Sequence, residues 1–528
     1  MWNLFSPFKF GLAAAVLFAL AASGAESSAQ DFFAGPNVLP ANDLGDEQDN
    51  GGNGAGGGAL ADFDSLMNLI QTTVEPTVWE ALGGVSTMAP YPAGILVDPD
   101  GLIRESSILN MKSITAAARA ASMRASIRQT ALGQSVELSD ERNWRDATSM
   151  RCVSLRRMLQ TLTAVELDPN ASLDDDAVDH LAGLSEVKLV VVTPDDVVLA
   201  GPVGGFVDYQ GWQVDTLSGR PPIRLTSLAI GCWASRHDQP FGCTIDPTTQ
   251  GLQNAAIVGD AVSQGSLAIG QAAGELAGAL GRQDVKVFGT PANHEVAWLM
   301  IEADRHMKQL ALGQQSMPDG TRNFAETVQA ESPSQPPSDL LLRLWFTGQP
   351  LSIRRSVDTE SSIVELSGQP LRLSGENELA LQSGERGRRA IDPATESFVN
   401  HFNDHWASIR SAYPLYGALE SLYRGVAIAQ LWHALAQGTD HEVMQRGLMH
   451  FASRRAKQLQ TPRSVDSIAI MHRYQHRRRI HHLVLASGGV SIAPTDLVGD
   501  IRESPSLANK ASLTKKRPPQ RWWWNVAL

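Results

Sequence analysis

The sequence predicts an α+β protein that mixes helices with short antiparallel sheets, in two globular lobes flanked by flexible N- and C-terminal segments. Three observations predict it. Apolar residues make up 43% of the 528 residues, enough for a sizeable core. Runs rich in β-branched residues alternate along the chain with apolar residues at helical spacing. A Pro/Ser-rich segment at 327–338 separates two such regions and predicts a linker between the lobes.

The first 29 residues have the order of charged and apolar residues expected of a signal peptide. Lys9 precedes an uncharged apolar run from Phe10 to Ala22, and small residues follow it. The run is shorter than the roughly 20 residues that cross a bilayer. We therefore expect an exported protein, periplasmic or extracellular, whose leader is cleaved after Ala25 or Ala29. An uncleaved membrane anchor is the alternative.

The N-terminal half is predicted to begin with a linker and to continue as one domain. Residues 30–62 combine an acidic stretch with the glycine-rich Gly51–Gly58, a composition typical of a flexible linker. An α+β domain is expected over 63–326. Its main elements are predicted as a strand at Gly94–Asp98, a helix at Val153–Leu162, a hairpin of Val187–Thr193 with Val197–Pro202, one long helix at Leu252–Leu280 and an amphipathic helix at Glu295–Leu312.

A second α+β domain is predicted over 339–495, followed by a tail at 496–528. The domain is expected to contain an antiparallel meander between 340 and 373, helices near 394–412, 414–436 and 442–459, and a hairpin of Ser467–Met471 with Ile480–Leu485. The tail is rich in Lys and Arg and carries Trp522–Trp524. Because Pro518–Pro519 prevents a continuing helix, the tail is predicted to be disordered.

The charge balance excludes one class of function. Lys and Arg total 44 against 56 Asp and Glu, a net charge of −12. A protein that tracks nucleic-acid phosphates needs a positive surface, so no nucleic-acid partner is expected. The basic tail with its three tryptophans suits a lipid interface, and membrane-surface contact through the tail is one hypothesis. A tail without a partner is the other.

The chain has three cysteines, Cys152, Cys232 and Cys243. An oxidising compartment permits a disulfide, and Cys232 and Cys243 are the only close pair, separated by what the sequence predicts to be a loop. A possible Cys232–Cys243 disulfide is therefore one hypothesis. Three buried thiols that behave as small apolar side chains are the alternative.

The sequence contains no Gly-x-Ser-x-Gly elbow, no His-Glu-x-x-His pair, no Cys-x-x-Cys, no Walker loop and no EF-hand loop. Cys243 with His237 as its base, and Asp246 close in sequence, forms the candidate site of an enzyme. Asp304 and Lys308 have the spacing of an ion pair on one helix face, which predicts an exposed stabilising pair, with a functional role as the alternative.

A histidine-rich stretch is the sharpest candidate for metal binding. His472, His476, His481 and His482 lie within eleven positions, but His481 and His482 would point to opposite faces of a strand. The arginines between them would repel a dication. A solvated basic turn is therefore favoured over a zinc site, and no metal and no cofactor are predicted.

Eight short segments, in one order, carry a family resemblance. They are Ala93–Gly101, Val153–Arg157, His180–Leu184, Val198–Pro202, Gly219–Pro222, Cys243–Leu252, Ile301–Lys308 and Ser487–Ile492. Over roughly 94–492 the chain resembles an uncharacterised domain-of-unknown-function family of exported planctomycete proteins. The resemblance implies export but supplies no activity and no catalytic residues.

These observations favour an exported, non-catalytic protein with a structural or interaction role in the cell envelope. Its expected partner is an unknown protein or envelope component. The alternative is an enzyme of unassigned class with a site near Cys243, Asp246 and His237.

Overall fold

The computed structural model describes residues 87–91, 94–98, 143–167, 173–268, 271–331, 341–357, 361–380, 383, 386–390, 393–436, 438–473, 480–511, 518 and 521–526. The predicted signal peptide at 1–29 and the predicted linker at 30–62 lie outside these residues. The described part is α+β, as the sequence predicts, with helices between two large sheets.

One sheet has seven strands. Their spatial order is β18 (Val498–Glu503), β11 (Leu351–Val357), β12 (Ser362–Ser367), β4 (Leu189–Val192), β5 (Val197–Val203), β3 (Thr148–Ser154) and β19 (Trp523–Asn525). Only β11 and β18 are parallel neighbours in it. The hairpin predicted around residue 195 is confirmed as β4 and β5, with Val192 opposite Val197. Both strands are buried throughout, in keeping with their continuous apolar sequence.

The other sheet has eight strands. Their order is β14 (Arg386–Ala390), β13 (Leu371–Ala380), β10 (Leu341–Gly348), β17 (Ile480–Ile492), β8 (Phe241–Pro247), β9 (Arg282–Phe288) and β15 (Ser464–Asp466), with β16 (Ile468–Arg473) paired to β17. The predicted second hairpin is confirmed as β16 and β17. The predicted meander is not one sheet, because β10 pairs with β13 here whereas β11 and β12 pair in the seven-stranded sheet. Alternation identifies a strand but not its neighbour.

Two small hairpins form two-stranded sheets of their own. They are β1 (Thr87–Tyr91) with β2 (Gly94–Asp98), and β6 (Phe206–Tyr209) with β7 (Trp212–Asp215). The strand predicted at Gly94–Asp98 is confirmed, and its partner precedes it in the chain.

The α-helices of the described residues are α1 (Leu155–Leu167), α2 (Asp175–Asp179), α3 (Leu225–His237), α4 (Thr249–Ser263), α5 (Ala272–Leu280), α6 (Glu295–Ala311), α7 (Phe324–Glu331), α8 (Pro393–Asp404), α9 (Trp406–Ala412), α10 (Pro414–Leu435) and α11 (Thr439–Arg455). The single helix predicted over Leu252–Leu280 is two helices, α4 and α5, which share a small apolar core. The amphipathic prediction for Glu295–Leu312 is confirmed by α6. None of the described helices has both the length and the apolarity to cross a membrane.

Two apolar helices, α3 and α10, lie at the centre of the fold. They cross closely because Gly231 of α3 faces α10, where a Cβ would lie 2.8 Å from the Ala429 Cβ. α10 reaches β4 and β18 of the seven-stranded sheet, and it also packs on α6, which contacts β8, β10 and β17 of the other sheet. A helix that is apolar on most sides must be enclosed in this way.

Both large sheets combine strands from the two sides of the linker predicted at 327–338. The seven-stranded sheet joins β3, β4 and β5, from before this segment, to β11, β12, β18 and β19 from after it. The eight-stranded sheet likewise pairs β8 with β17 and β9 with β15. Both halves of the chain therefore build each sheet, and the prediction of two separate lobes in sequence is corrected. A Pro/Ser-rich composition predicts a break in secondary structure but not which strands pair across it.

The prediction of a disordered tail over 496–528 is wrong for its described residues. They include β18, a 3₁₀ turn at Pro505–Ala511 and β19, which pairs with β3. Trp522 and Trp524 are only 7% and 2% exposed, and Trp524 lies in the core on one face of the seven-stranded sheet. The local sequence could not predict this, because the partner strand β3 lies more than 300 residues earlier in the chain.

Candidate functional site

A cleft of about 330 Å³ lies where the first turns of α3 and α6 meet the β6–β7 hairpin. Its walls combine the rings of Trp212 and Trp298 with Pro221 and Pro222. Polar and charged side chains complete it: Asp176, His180, Gln213, Arg224, Thr226, Ser227, Glu295 and Lys457. Apolar and aromatic walls combined with polar groups are typical of a ligand site, although the polar residues are numerous here.

The turn of the β6–β7 hairpin places two side chains on the cleft wall. Gln210 and Gly211 have φ of 51° and 76°, the left-handed pair that a tight two-residue hairpin turn requires. Trp212 and Gln213 follow directly as the first residues of β7 and line the cleft. Both are partly buried.

A left-handed turn fixes His180 beside the cleft. Leu181, Ala182 and Gly183 have φ of 45°, 51° and 84°, a conformation that costs non-glycine residues about 1–2 kcal/mol each. The buried guanidinium of Arg151 donates to the Ala182 carbonyl over 2.7 Å and helps to hold this turn. The chain therefore reverses immediately after His180, whose ring stacks on Trp144 at 5.4 Å between centroids.

Arg224, which precedes α3, links the polar residues of the cleft. Its Nη2 lies 3.2 Å from Glu295 Oε2, and its Nη1 lies 3.1 Å from His180 Nε2. Thr226 Oγ1 donates to Glu295 Oε1 over 2.6 Å. Arg224 can only donate, so His180 Nε2 accepts, and Nδ1 donates to the Asp176 carbonyl over 2.8 Å. Burial and the Arg224 charge lower the pKa of His180, which keeps its imidazole neutral.

His294 caps the helix α6 at the cleft. Its Nδ1 accepts from the Val296 backbone N–H over 3.1 Å, which requires an unprotonated Nδ1. Burial, opposed by Glu295 and assisted by Arg224, lowers the pKa of His294 to about 4. Glu295 follows immediately, so the cap also places the carboxylate that Arg224 and Thr226 hold.

Two of the predicted catalytic residues differ sharply in exposure. Cys243 is 1% exposed on β8, whereas His237 is exposed at the end of α3, with its Nδ1 2.8 Å from the Trp233 carbonyl oxygen. Asp246 is partly buried on β8. Burial, with a smaller contribution from Asp304, raises the pKa of the Cys243 thiol, the opposite of what a nucleophile needs. The structure therefore does not bring Cys243, Asp246 and His237 together as an accessible nucleophile and base.

The possible Cys232–Cys243 disulfide is not formed. All three cysteines are free and buried. The segment between Cys232 and Cys243 is not the predicted loop, because α3 continues to His237 and β8 begins at Phe241. Each cysteine thus packs within a regular element as a small apolar side chain.

Asp304 and Lys308 form an ion pair of 2.9 Å, but the prediction that it is exposed is wrong. Their side chains are 0% and 5% exposed. Asp304 Oδ1 also accepts from the backbone N–H of Gly489 on β17 over 2.6 Å. At Gly488 a Cβ would lie 2.3 Å from the same oxygen, so only glycine fits there. The pair therefore fastens α6 to the eight-stranded sheet.

A second buried cluster surrounds Glu420 of α10. Its Oε1 accepts from Arg220 over 2.6 Å and from Arg424 over 2.9 Å, and its Oε2 accepts from Arg410 over 2.6 Å and Trp406 over 2.8 Å. Burial alone would raise the pKa of Glu420, but the three guanidinium groups hold it well below its usual value. Arg220 ties this cluster to the segment that leads into the cleft.

The other predicted sites fall partly outside the described residues. The side chains of His472, His476, His481 and His482 lie outside them, although His472 and His481 are register partners in the β16–β17 hairpin. Within the described residues, no group of three or more His, Cys, Asp or Glu could hold a metal ion.

The sequence patterns identify few of the residues that line the cleft. His180 and Pro221–Pro222 belong to segments of the family resemblance, and Arg224, Glu295, Gln213 and Trp298 carry no motif. One sequence feature does indicate the cleft. Pro221 and Pro222 precede the apolar helix α3, and paired prolines predict a rigid segment that leads into a helix.

Residues 243–324 match a family described as a protein of unknown function (DUF1598). The matched segment begins on β8 and ends at the start of α7, so it contains Glu295 and Trp298 of the cleft and the Asp304–Lys308 pair, but neither His180 nor Arg224. No curated protein and no solved structure matches the chain. The segment is thus similar to an uncharacterised domain family.

Proposed function

We propose that the protein is a non-catalytic interaction protein of the cell envelope and that the cleft at Arg224 binds its ligand. One observation carries the proposal. The carboxylate and the imidazole beside Arg224 are committed to internal partners: Glu295 to Arg224 and Thr226, and His180 to Asp176 and Arg224. The tryptophan and proline walls supply contact area instead.

The envelope location rests on the sequence of the first 29 residues. Residues 10–22 are apolar and uncharged, preceded by Lys9 and followed by small residues, an order typical of export. Membrane-surface contact through the tail stays a prediction. It would have to use the basic residues, because Trp522 and Trp524 are packed in the protein.

The enzyme alternative at Cys243 has less support. A buried thiol with a raised pKa and an exposed histidine on another element supply no activated nucleophile.

Photo-crosslinking in the native host tests the proposal. A photoreactive amino acid replaces Leu299, which lines the cleft, and in a matched control it replaces Val443, which is 58% exposed on α11. We expect envelope material to be captured from position 299 and much less from position 443, with the tagged protein in the envelope fraction. Equal capture at both positions, or a cytoplasmic protein, would contradict the proposal.

A further inference from the structure

The strand β18 forms one edge of the seven-stranded sheet. It pairs with β11 on one side, and no described strand pairs with its other side. Residues 500–503 of β18 are exposed on both faces of the sheet, and Ile501 is 40% exposed. Its register partner on β11 is the buried Ile353, so Ile501 extends an apolar row to the open edge. An open edge of this kind is where a further strand can add to a sheet.

The hydrogen bonds to β11 determine which backbone groups of β18 face outward. The two strands are parallel, with Arg355 opposite Glu503, and the Ser504 N–H donates to the Arg355 carbonyl over 2.8 Å. Successive residues of a strand direct their N–H and C=O groups alternately to one side and the other. Ser504 and Arg502 therefore face β11, whereas Ile501 and Glu503 direct their N–H and C=O groups out of the sheet. An added strand would form hydrogen bonds with Ile501.

Arg502 lies in an unbalanced row of charges. Its register partner on β11 is Arg354, whose guanidinium already pairs with Glu365 of β12. Asp500 and Arg502 form no ion pair with another described residue. Because like charges side by side on neighbouring strands are unfavourable, an anion on the open side of Arg502 would balance the row.

A second copy of β18 supplies that anion. When two such strands pair antiparallel about a two-fold axis at Ile501, Asp500 of each copy lies opposite Arg502 of the other. The two Ile501 residues then exchange two main-chain hydrogen bonds, since their N–H and C=O groups face outward. An axis at Asp500 or at Arg502 would instead place two like charges opposite each other. Charged side chains often protect an edge strand from pairing, but in this one register those of β18 attract a second copy.

We propose that the protein forms a two-fold symmetric dimer through β18, in which the two seven-stranded sheets join edge to edge as one continuous sheet. One pair of short strands buries less area than a permanent dimer needs, so we expect the dimer to dissociate in the micromolar range. The inference goes beyond the proposed function and does not depend on the cleft.

Sedimentation velocity of the full mature chain, from about 1 to 100 μM, tests the dimer, and charge reversal tests its register. Asp500→Arg places two pairs of cations opposite each other, and Arg502→Asp places two pairs of anions there. Each variant should therefore dimerise at least about tenfold more weakly than the wild type. Asp208→Arg is a matched control, because Asp208 is exposed on β6 and its reversal changes the net charge equally. It should dimerise as the wild type does.

Combining the substitutions gives a test that a general loss of folding cannot imitate. The double variant Asp500→Arg/Arg502→Asp again has opposite charges in register, so its dimer should regain the wild-type affinity. An equimolar mixture of the two single variants should form mixed dimers for the same reason.

Ile501→Pro tests the main-chain hydrogen bonds. The Ile501 N–H faces outward, so proline removes no bond to β11 and the unfolding midpoint should stay close to that of the wild type. Two bonds between the copies are lost, and dimerisation should weaken at least about tenfold.

A chain that stays monomeric at every concentration would overturn the proposal. A dimer that neither charge reversal weakens would overturn it as well, because the contact would then lie elsewhere. If the double variant dimerises no better than the single variants, the register centred on Ile501 is wrong.

Discussion

Arg220 and Arg224 lie four residues apart on the same segment, yet they belong to two different kinds of polar cluster. Arg220 is 3% exposed and pairs with Glu420 among two further arginines and a tryptophan N–H. Arg224 is 26% exposed in its side chain and pairs with Glu295 and His180. The interior cluster encloses its carboxylate completely, whereas the ion pair of Arg224 and Glu295 lines a partly open cleft.

The largest expected effect is on the free energy of unfolding, and it should differ between substitutions of Glu420 and Glu295. Glu420→Gln leaves three guanidinium groups without their shared anion in the interior, so we expect a loss of about 3–5 kcal/mol in the free energy of unfolding. Glu295→Gln, in the partly open cleft, should cost about 1 kcal/mol. Chemical denaturation of both variants measures the difference, and similar losses would remove the distinction between the two clusters.

Tryptophan substitutions extend the comparison to apolar contacts. Trp524→Ala removes a ring that is 2% exposed and opens a cavity beside β3, so a loss of about 3–5 kcal/mol is expected. Trp298→Ala should cost less, since its ring is only partly buried. An unfolding midpoint for Trp524→Ala equal to that of the wild type would restore the prediction of a disordered tail.

A pH titration sharpens the description of the cleft. Burial lowers the pKa of His294 to about 4 in the folded protein, from about 6.5 in the unfolded chain. Below pH 6.5 the unfolded chain therefore binds a proton that the folded protein does not. The free energy of unfolding decreases for this reason as the pH falls from 6.5 toward 4. The wild type should lose about 1–2 kcal/mol from this group between pH 6.5 and 5. His294→Asn can still cap α6 but does not titrate, so its stability should fall less over that range. Identical pH dependence in both proteins would show that His294 is not the titrating group.

A reductant is expected to have no effect on stability, which makes this the smallest of the expected effects. Three free, buried cysteines predict that the unfolding midpoint is the same with and without it. The native protein should resist alkylation, because burial raises the thiol pKa values, that of Cys152 to about 12. Unfolding without reductant should make all three thiols reactive. Labelling of Cys152 alone would establish the Cys232–Cys243 bridge instead.

Local sequence patterns predict much of the secondary structure. The α+β class, the β4–β5 and β16–β17 hairpins and the helix α6 follow from periodicity, because each pattern records which face of its own element is buried. The same patterns could not reveal that Asp304 and Lys308 are buried, since an i,i+4 pair has the same spacing on either face of a helix.

The sheet order, the packed C-terminal strand and the cleft depend on contacts between segments that are distant in sequence. β19 is a strand because β3 offers it a ladder and a core for Trp524, and both lie far away in sequence. Arg220 and Arg224 are alike in sequence, and only the packing of α3 against α10 and α6 sends one guanidinium to Glu420 and the other to Glu295. Local propensity acts over a few residues, whereas the pairing of buried charges depends on which segments meet in space.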